Sequence, residues 1–136
     1  MLDLGTGSGI LAIAARALGA KRADAFDFDP ACVRTARENI AANRIKQIRV
    51  AKLDVLKWNP ARQWDVIAAN LYSEVLIAAA PKISRALKSG GALVLSGILR
   101  VQENDCVSAF KKPSRHLHIE QIIRRGKWVT ILARKR

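Results

Sequence analysis

Cysteine, aromatic residues and acids are all scarce in this 136-residue chain. The two cysteines, Cys32 and Cys106, have no metal-ligand spacing. A disulfide-stapled secreted scaffold and a cysteine zinc site are thereby set aside, and both thiols are expected to be reduced and packed, as in a cytosolic protein. Aromatic residues make up 5% of the chain, and too few lie near basic residues to form a stacking platform for single-stranded nucleic acid. The counts of Met, Cys and Trp, at one, two and three, suggest no flavin, haem or iron–sulfur site. No apolar run reaches the roughly 18 uncharged residues that a membrane helix needs. The best stretch, Gly9 to Ala15, meets Arg16. A signal peptide is not read either, because the first residues already read as a buried strand.

Apolar residues are abundant, at 50%. A chain of this length buries roughly two-thirds of its unfolded surface, so one domain with a real core is expected and intrinsic disorder is not. Positive charge is the other excess. Twenty-four Lys and Arg against eleven Asp and Glu leave +13. From Lys111 to Arg136 nine basic residues face one acid, Glu120. Such a tail suits a polyanion such as ribosomal RNA, or forms a solvated basic face.

Strand and helix patterns alternate along the chain. Met1 to Leu4 reads as a strand, followed by Gly5-Thr6-Gly7-Ser8-Gly9. Ile10 to Leu18 has helical spacing, with Gly19 as C-cap. Ala23 to Phe28 is a strand. Asp29 and Pro30 open a helix that runs to about Asn43. Ile48 to Leu53 is a third strand. Trp64 to Ala69 is a fourth, apolar enough to be buried on both faces. A helix follows from Ser73 or Glu74 to Leu87, broken or restarted near Pro81. Lys88 to Gly91 reads as a turn, Ala92 to Ser96 as a fifth strand, and Val101 to Phe110 as a helix. His116 to Ile123 and Trp128 to Ala133 form a closing hairpin. The alternation predicts an α/β, doubly wound, Rossmann-like sheet, mostly parallel with an antiparallel C-terminal hairpin. A ligand belongs at the C-terminal ends of its strands.

The glycine loop has the strand–loop–helix context that gives such a motif meaning. Asp27 lies 22 residues after Gly5, at the end of the second strand, where a carboxylate can accept both hydroxyls of a ribose. Asp29 shares that side, but its capping role leaves Asp27 the better ribose ligand. A dinucleotide loop would be G-x-G-x-x-G/A, and its last position here is Ile10. The spacing is G-x-G-x-G instead, with Asp3 two residues upstream, able to hold an ammonium group. An amine, a ribose and no pyrophosphate fit S-adenosylmethionine better than a nicotinamide cofactor.

Asp3-Leu4-Gly5-Thr6-Gly7-Ser8-Gly9-Ile10-Leu11, Phe26-Asp27-Phe28-Asp29-Pro30, Ala69-Asn70-Leu71-Tyr72 and Leu95-Ser96-Gly97-Ile98-Leu99 resemble class I S-adenosylmethionine-dependent methyltransferases. The Asn70 and Ser96 blocks, with Gly126-Lys127-Trp128-Val129, resemble the PrmA family, which methylates amino groups of a large-subunit ribosomal protein. The resemblance implies a protein N-methyltransferase. Asp3 and Gly5, Thr6, Gly7 and Gly9 would hold the methionine part of S-adenosylmethionine. Asp27 would take the ribose, Asp54 the adenine amino group, and Asn70 would face the reacting amine and adjoin the cofactor. The family carries a separate N-terminal recognition domain, to which nothing in this sequence corresponds. The expected organisation is therefore a single cofactor-binding domain over residues 1–136 with a truncated start, since the first strand is short and the loop begins at once.

Other residues carry less. His116 and His118 share a strand face but lack a third ligand, so no metal is expected. Ser96 has no His–Asp pair. Tyr72 and Trp58 are candidates for lining the amine's approach. Three alternatives stay open: an RNA methyltransferase, a small-molecule methyltransferase, or an inactive domain that binds cofactor or RNA. In each the location is cytoplasmic, with no membrane partner.

Overall fold

Hydrophobic patterning places β1 (Leu2–Leu4) and β2 (Ala23–Asp27) in the interior, and in the computed structural model every residue of both strands is buried. The structure describes residues 1–111 and 117–136. Two units are compact in themselves, Met1–Val55 and Leu56–Arg136.

In the first unit β2 lies between β1 and β3 (Ile48–Lys52), and both pairings are parallel. The connections are α1 (Ile10–Ala17) and α2 (Pro30–Ala42). Ala12 of α1 packs with Ala23 and Ala25 of β2, flanked by Ile48 and Val50. Small side chains at this seam let helix and strand approach closely. Asp24 is a buried charge in β2, and Arg49 Nε donates to its Oδ1 at 3.0 Å from the neighbouring strand.

In the second unit β4 (Trp64–Asn70) pairs parallel with β5 (Leu87–Leu99), and β7 (Trp128–Lys135) pairs antiparallel with both β5 and β6 (Leu117–Arg125). The helices are α3 (Ser73–Ala86) and α4 (Glu103–Lys111), the latter entered through a short 3-10 turn, Arg100–Gln102. Leu76, Ile83, Leu93, Leu95, Ile98, Phe110 and Ile131 are fully buried. Each such side chain contributes roughly 1.5–3 kcal/mol through burial.

Three expectations need correction. Pro81 does not interrupt α3. Its ring faces outward, while Leu76, Ala79, Ala80 and Ile83 bury the opposite face across the same turns, and that packing outweighs one missing N–H. Lys88 to Gly91 does not separate helix from strand, because β5 already starts at Leu87. The four residues form an excursion between the pairs Trp64–Leu87 and Val66–Ala92, closed by Lys88 Nζ on Asp65 Oδ1 at 2.8 Å. Nor is β4 buried throughout, since Asp65 and Val66 are exposed.

Helix α3 runs into β5 without a glycine cap. Lys135 Nζ, from β7, donates to the carbonyls of Ser84 (2.9 Å) and Leu87 (2.8 Å), satisfying acceptors that the helix end leaves open. Among the described residues no helix is long and apolar enough to cross a membrane.

Candidate functional site

The loop after β1 is held from several directions. Gly5 and Thr6 both donate their N–H groups to the Phe26 carbonyl, at 2.9 and 3.0 Å, so the loop starts against the end of β2. Asp27 Oδ2 accepts from the Gly7 N–H at 2.9 Å, and its Oδ1 accepts from the Asp29 N–H at 3.0 Å. One carboxylate thus clips the glycine loop to the turn after β2. Each oxygen keeps acceptor capacity for a hydroxyl. Asp29 in turn caps α2, its Oδ1 accepting from Ala31 N–H at 2.8 Å. Leu53 N–H reaches the Asp27 carbonyl at 2.8 Å, which brings the start of the Asp54 segment to the same strand end. Asp54 itself is exposed, two residues beyond β3 rather than at its last position.

Two glycines of the loop have distinct reasons. Gly9, at φ +83°, is the N-cap of α1, and a Cβ there would lie 3.2 Å from the Ala36 Cβ of α2. Gly7, at φ +53°, has nothing within 4 Å of the Cβ position, so its outer side is open. Phe28, which follows Asp27 in the chain, is 71% exposed for so large a side chain.

Asp3 and Thr6 are placed differently from the others. Both are buried, and Thr6 Oγ1 donates to Asp3 Oδ2 at 2.6 Å. The second carboxylate oxygen, Oδ1, is buried without a hydrogen-bond partner among the described residues. Burial pushes the Asp3 carboxyl up to about 6, against the pull of Thr6 and of the Ala12 backbone. The Thr6 side chain is thus committed beneath the loop, and sequence spacing carries no signal of that inward turn.

In the second unit, Asn70 ends β4 and is exposed, as is Tyr72. The Leu71 N–H donates to the Ser96 carbonyl at 3.3 Å. Gly97, at φ +82°, lies against the Leu71 carbonyl and the Asn70 side-chain oxygen. Ser96 Oγ lies 3.4 Å from Thr130 Oγ1. Trp58 is engaged in packing, its ring 5.9 Å from that of Trp64. His118 is exposed on β6, while His116 lies outside the described residues. The basic tail is partly spent on structure: Arg124 pairs with Glu103 and Arg134 with Glu120. Arg125 and Lys127 stay exposed at the hairpin tip beside Trp128, with Lys127 Nζ 5.3 Å from its ring centroid.

Known proteins match this chain over nearly its whole length. The family model described as ribosomal protein L11 methyltransferase (PrmA) matches residues 1–136. A ribosomal protein L11 methyltransferase of Heliobacterium modesticaldum is 38% identical over 135 residues, covering 99% of this chain and 42% of the relative. One from Pelobacter propionicus is 42% identical, with 99% and 43% covered. The chain therefore spans about two-fifths of the length of these curated relatives. The crystal structure of a ribosomal protein L11 methylase from Lactobacillus delbrueckii subsp. bulgaricus superposes with a TM-score of 0.91 at 33% identity, covering 99% of this chain and 68% of that one. An S-adenosylmethionine-dependent methyltransferase from Clostridium acetobutylicum, at 17% identity and a TM-score of 0.81, shares the fold. The doubly wound, Rossmann-like α/β class is thus the observed one, mostly parallel with antiparallel C-terminal strands, and this chain belongs to the ribosomal protein L11 methyltransferase (PrmA) family.

Proposed function

We propose that this chain binds S-adenosylmethionine and transfers its methyl group to amino groups of a ribosomal protein, in the cytoplasm. Membership of the family supports the reading, and the observation that carries it is the Asp27 clip. A carboxylate at the end of β2 holds the Gly7 N–H of a loop whose outer side is open. The residues present fit the cofactor. Gly7 leaves the outer side of the loop clear for the methionine part, Gly5 and Gly9 give the loop its positive-φ turns, Asp27 has acceptor capacity for the ribose hydroxyls, and Asp54 is exposed for the adenine amino group. Asp3 serves the same end from beneath the loop, through Thr6.

When bound, S-adenosylmethionine supplies an electrophilic methyl group with its own neutral leaving group. What remains for the chain is orientation. Asn70 Oδ1 accepts one hydrogen from a neutral amine and the Leu71 carbonyl accepts a second, which leaves the nitrogen lone pair aimed outward. Neither residue must gain or lose a proton, provided the amine arrives deprotonated. The acceptor is a lysine side chain or an α-amine.

Ribosomal RNA is a further contact of the same protein in this reading, favoured by Arg125, Lys127 and the 47%-exposed Trp128 at the hairpin tip. Exposed cations gathered at one tip suit a phosphate backbone.

Calorimetry with S-adenosylhomocysteine tests the cofactor assignment. Hydrogen bonds to a charged group contribute roughly 1.5–3 kcal/mol each, so Asp27→Ala is expected to weaken binding about tenfold or more. No binding to the wild-type chain, or equal affinity in the variant, removes the assignment.

A further inference from the structure

Among the described residues no hydrogen bond holds the Asn70 side-chain amide. Its oxygen lies beside one backbone position, Gly97. In the β5–β7 pairing Leu95 faces Ile131 and Ile98 faces Val129, so Ser96 and Gly97 together oppose the single residue Thr130. This bulge turns Gly97 to φ +82° and presses its Cα onto the end of β4. A Cβ at Gly97 would lie 2.4 Å from the Leu71 carbonyl oxygen, 3.0 Å from its carbonyl carbon and 3.2 Å from Asn70 Oδ1. The two oxygens that crowd this position are the two amine acceptors of the reading above. The Leu71 contact cannot be relieved cheaply, because a peptide carbonyl moves only with its backbone, whereas the Asn70 oxygen gives way by rotating out of place.

We propose that Gly97 is a positioning residue for methyl transfer: the Ser96–Gly97 bulge sets where the Leu71 carbonyl and the Asn70 amide lie, and the missing Cβ is what lets both acceptors keep that place. The inference rests on Asn70 and Leu71 meeting the amine. Any side chain at 97 displaces the Leu71 carbonyl and swings the Asn70 oxygen. Misplacement of a reactant by 1 Å can cost about a hundredfold in rate.

The experiment is a methyl-transfer assay on the ribosomal protein, with rates expressed per cofactor-binding site from calorimetric titration, so that unfolded chains drop out. Gly97→Ala is paired with Gly97→Asn, since Asn tolerates positive φ but keeps the Cβ. Both are expected to lower kcat about tenfold or more while cofactor affinity stays within about twofold. The double variant Asn70→Ala/Gly97→Ala is expected to be no slower than Asn70→Ala alone, because coupled residues are not additive. Gly91→Ala is the crowding control. Its Cβ would meet Leu87 Cδ1 and the Lys88 carbonyl at 2.9 Å, and it is expected to lose stability but keep its rate per site. A crystal structure of Gly97→Ala is expected to show the Leu71 carbonyl displaced. Wild-type kcat in both Gly97 variants, multiplying effects in the double variant, an unmoved Leu71 carbonyl, or an equal rate loss in Gly91→Ala would each overturn the role of Gly97 while Asn70 stands. Full turnover by Asn70→Ala would overturn the reading beneath it, and this inference with it.

Discussion

Replacing Asp3 by asparagine tests whether a buried charge under the glycine loop weakens the fold. The Asp3 carboxyl is fully buried, and burial raises it from the ordinary 3.8 to about 6. Below about pH 4 the folded and unfolded chains both hold the proton, and nothing is lost. Between about 4 and 6 the unfolded chain has released a proton that the folded chain retains, so stability falls as pH rises. Above about 6 the folded chain carries the charge at full cost. A shift of roughly two units at about 1.4 kcal/mol per unit gives about 3 kcal/mol. The substituted amide carries no charge, and its oxygen can still accept from Thr6 Oγ1. Asp3→Asn should therefore be more stable than wild type at pH 8 by up to about 3 kcal/mol, and nearly equal to it at pH 4. For a chain of this size that is roughly 10 °C in Tm. Scanning calorimetry of both proteins from pH 4 to 8 reads the difference. A gap independent of pH, or a less stable variant at pH 8, would refute the argument.

Gly9→Ala forces a side chain into positive φ against Ala36, and a loss of about 1–3 kcal/mol is expected in urea unfolding. Phe110→Ala empties a fully buried site in α4 and should cost about 3–5 kcal/mol by the same measurement. Burial pushes the Cys106 thiol up to about 11, so at pH 7.5 a maleimide should label Cys106 only at the rate of opening. Mass spectrometry of native and denatured samples checks this, and rapid native labelling at Cys106 would contradict it.

The parts of the structure that could be read in advance are those governed by local rules. Asp29 before Pro30 caps α2 because a side chain two residues from an amide can reach it in any fold. The glycine loop falls between β1 and α1 because its flanks carry strand and helix patterns. What stayed hidden depends on partners far along the chain. The Lys88-Ser89-Gly90-Gly91 signal is real, since Gly90 has positive φ, but Trp64 and Val66 pair on either side of it and keep it within β5. The outward face of Pro81 is invisible without knowing which face α3 buries. Asp3 reads as an ammonium ligand by spacing alone, and the Thr6 hydroxyl turning inward to it has no sequence signature. The crowding at Gly97 arises from a bulge set by β7, more than thirty residues later.

The ammonium of Lys135 ties together the order in which this second unit can open. Its two carbonyl partners lie 51 and 48 residues earlier in the chain. The α3–β5 junction is therefore complete only when β7 has been laid down, a contact of high loop-closure cost that forms late. Fraying of β7 strips the junction of its donor, and loosening of the junction leaves the ammonium half-buried and unpaired. Amides of Leu87 and of β7 should then exchange with solvent as one cooperative group, at rates set by a shared opening rather than by their separate depths.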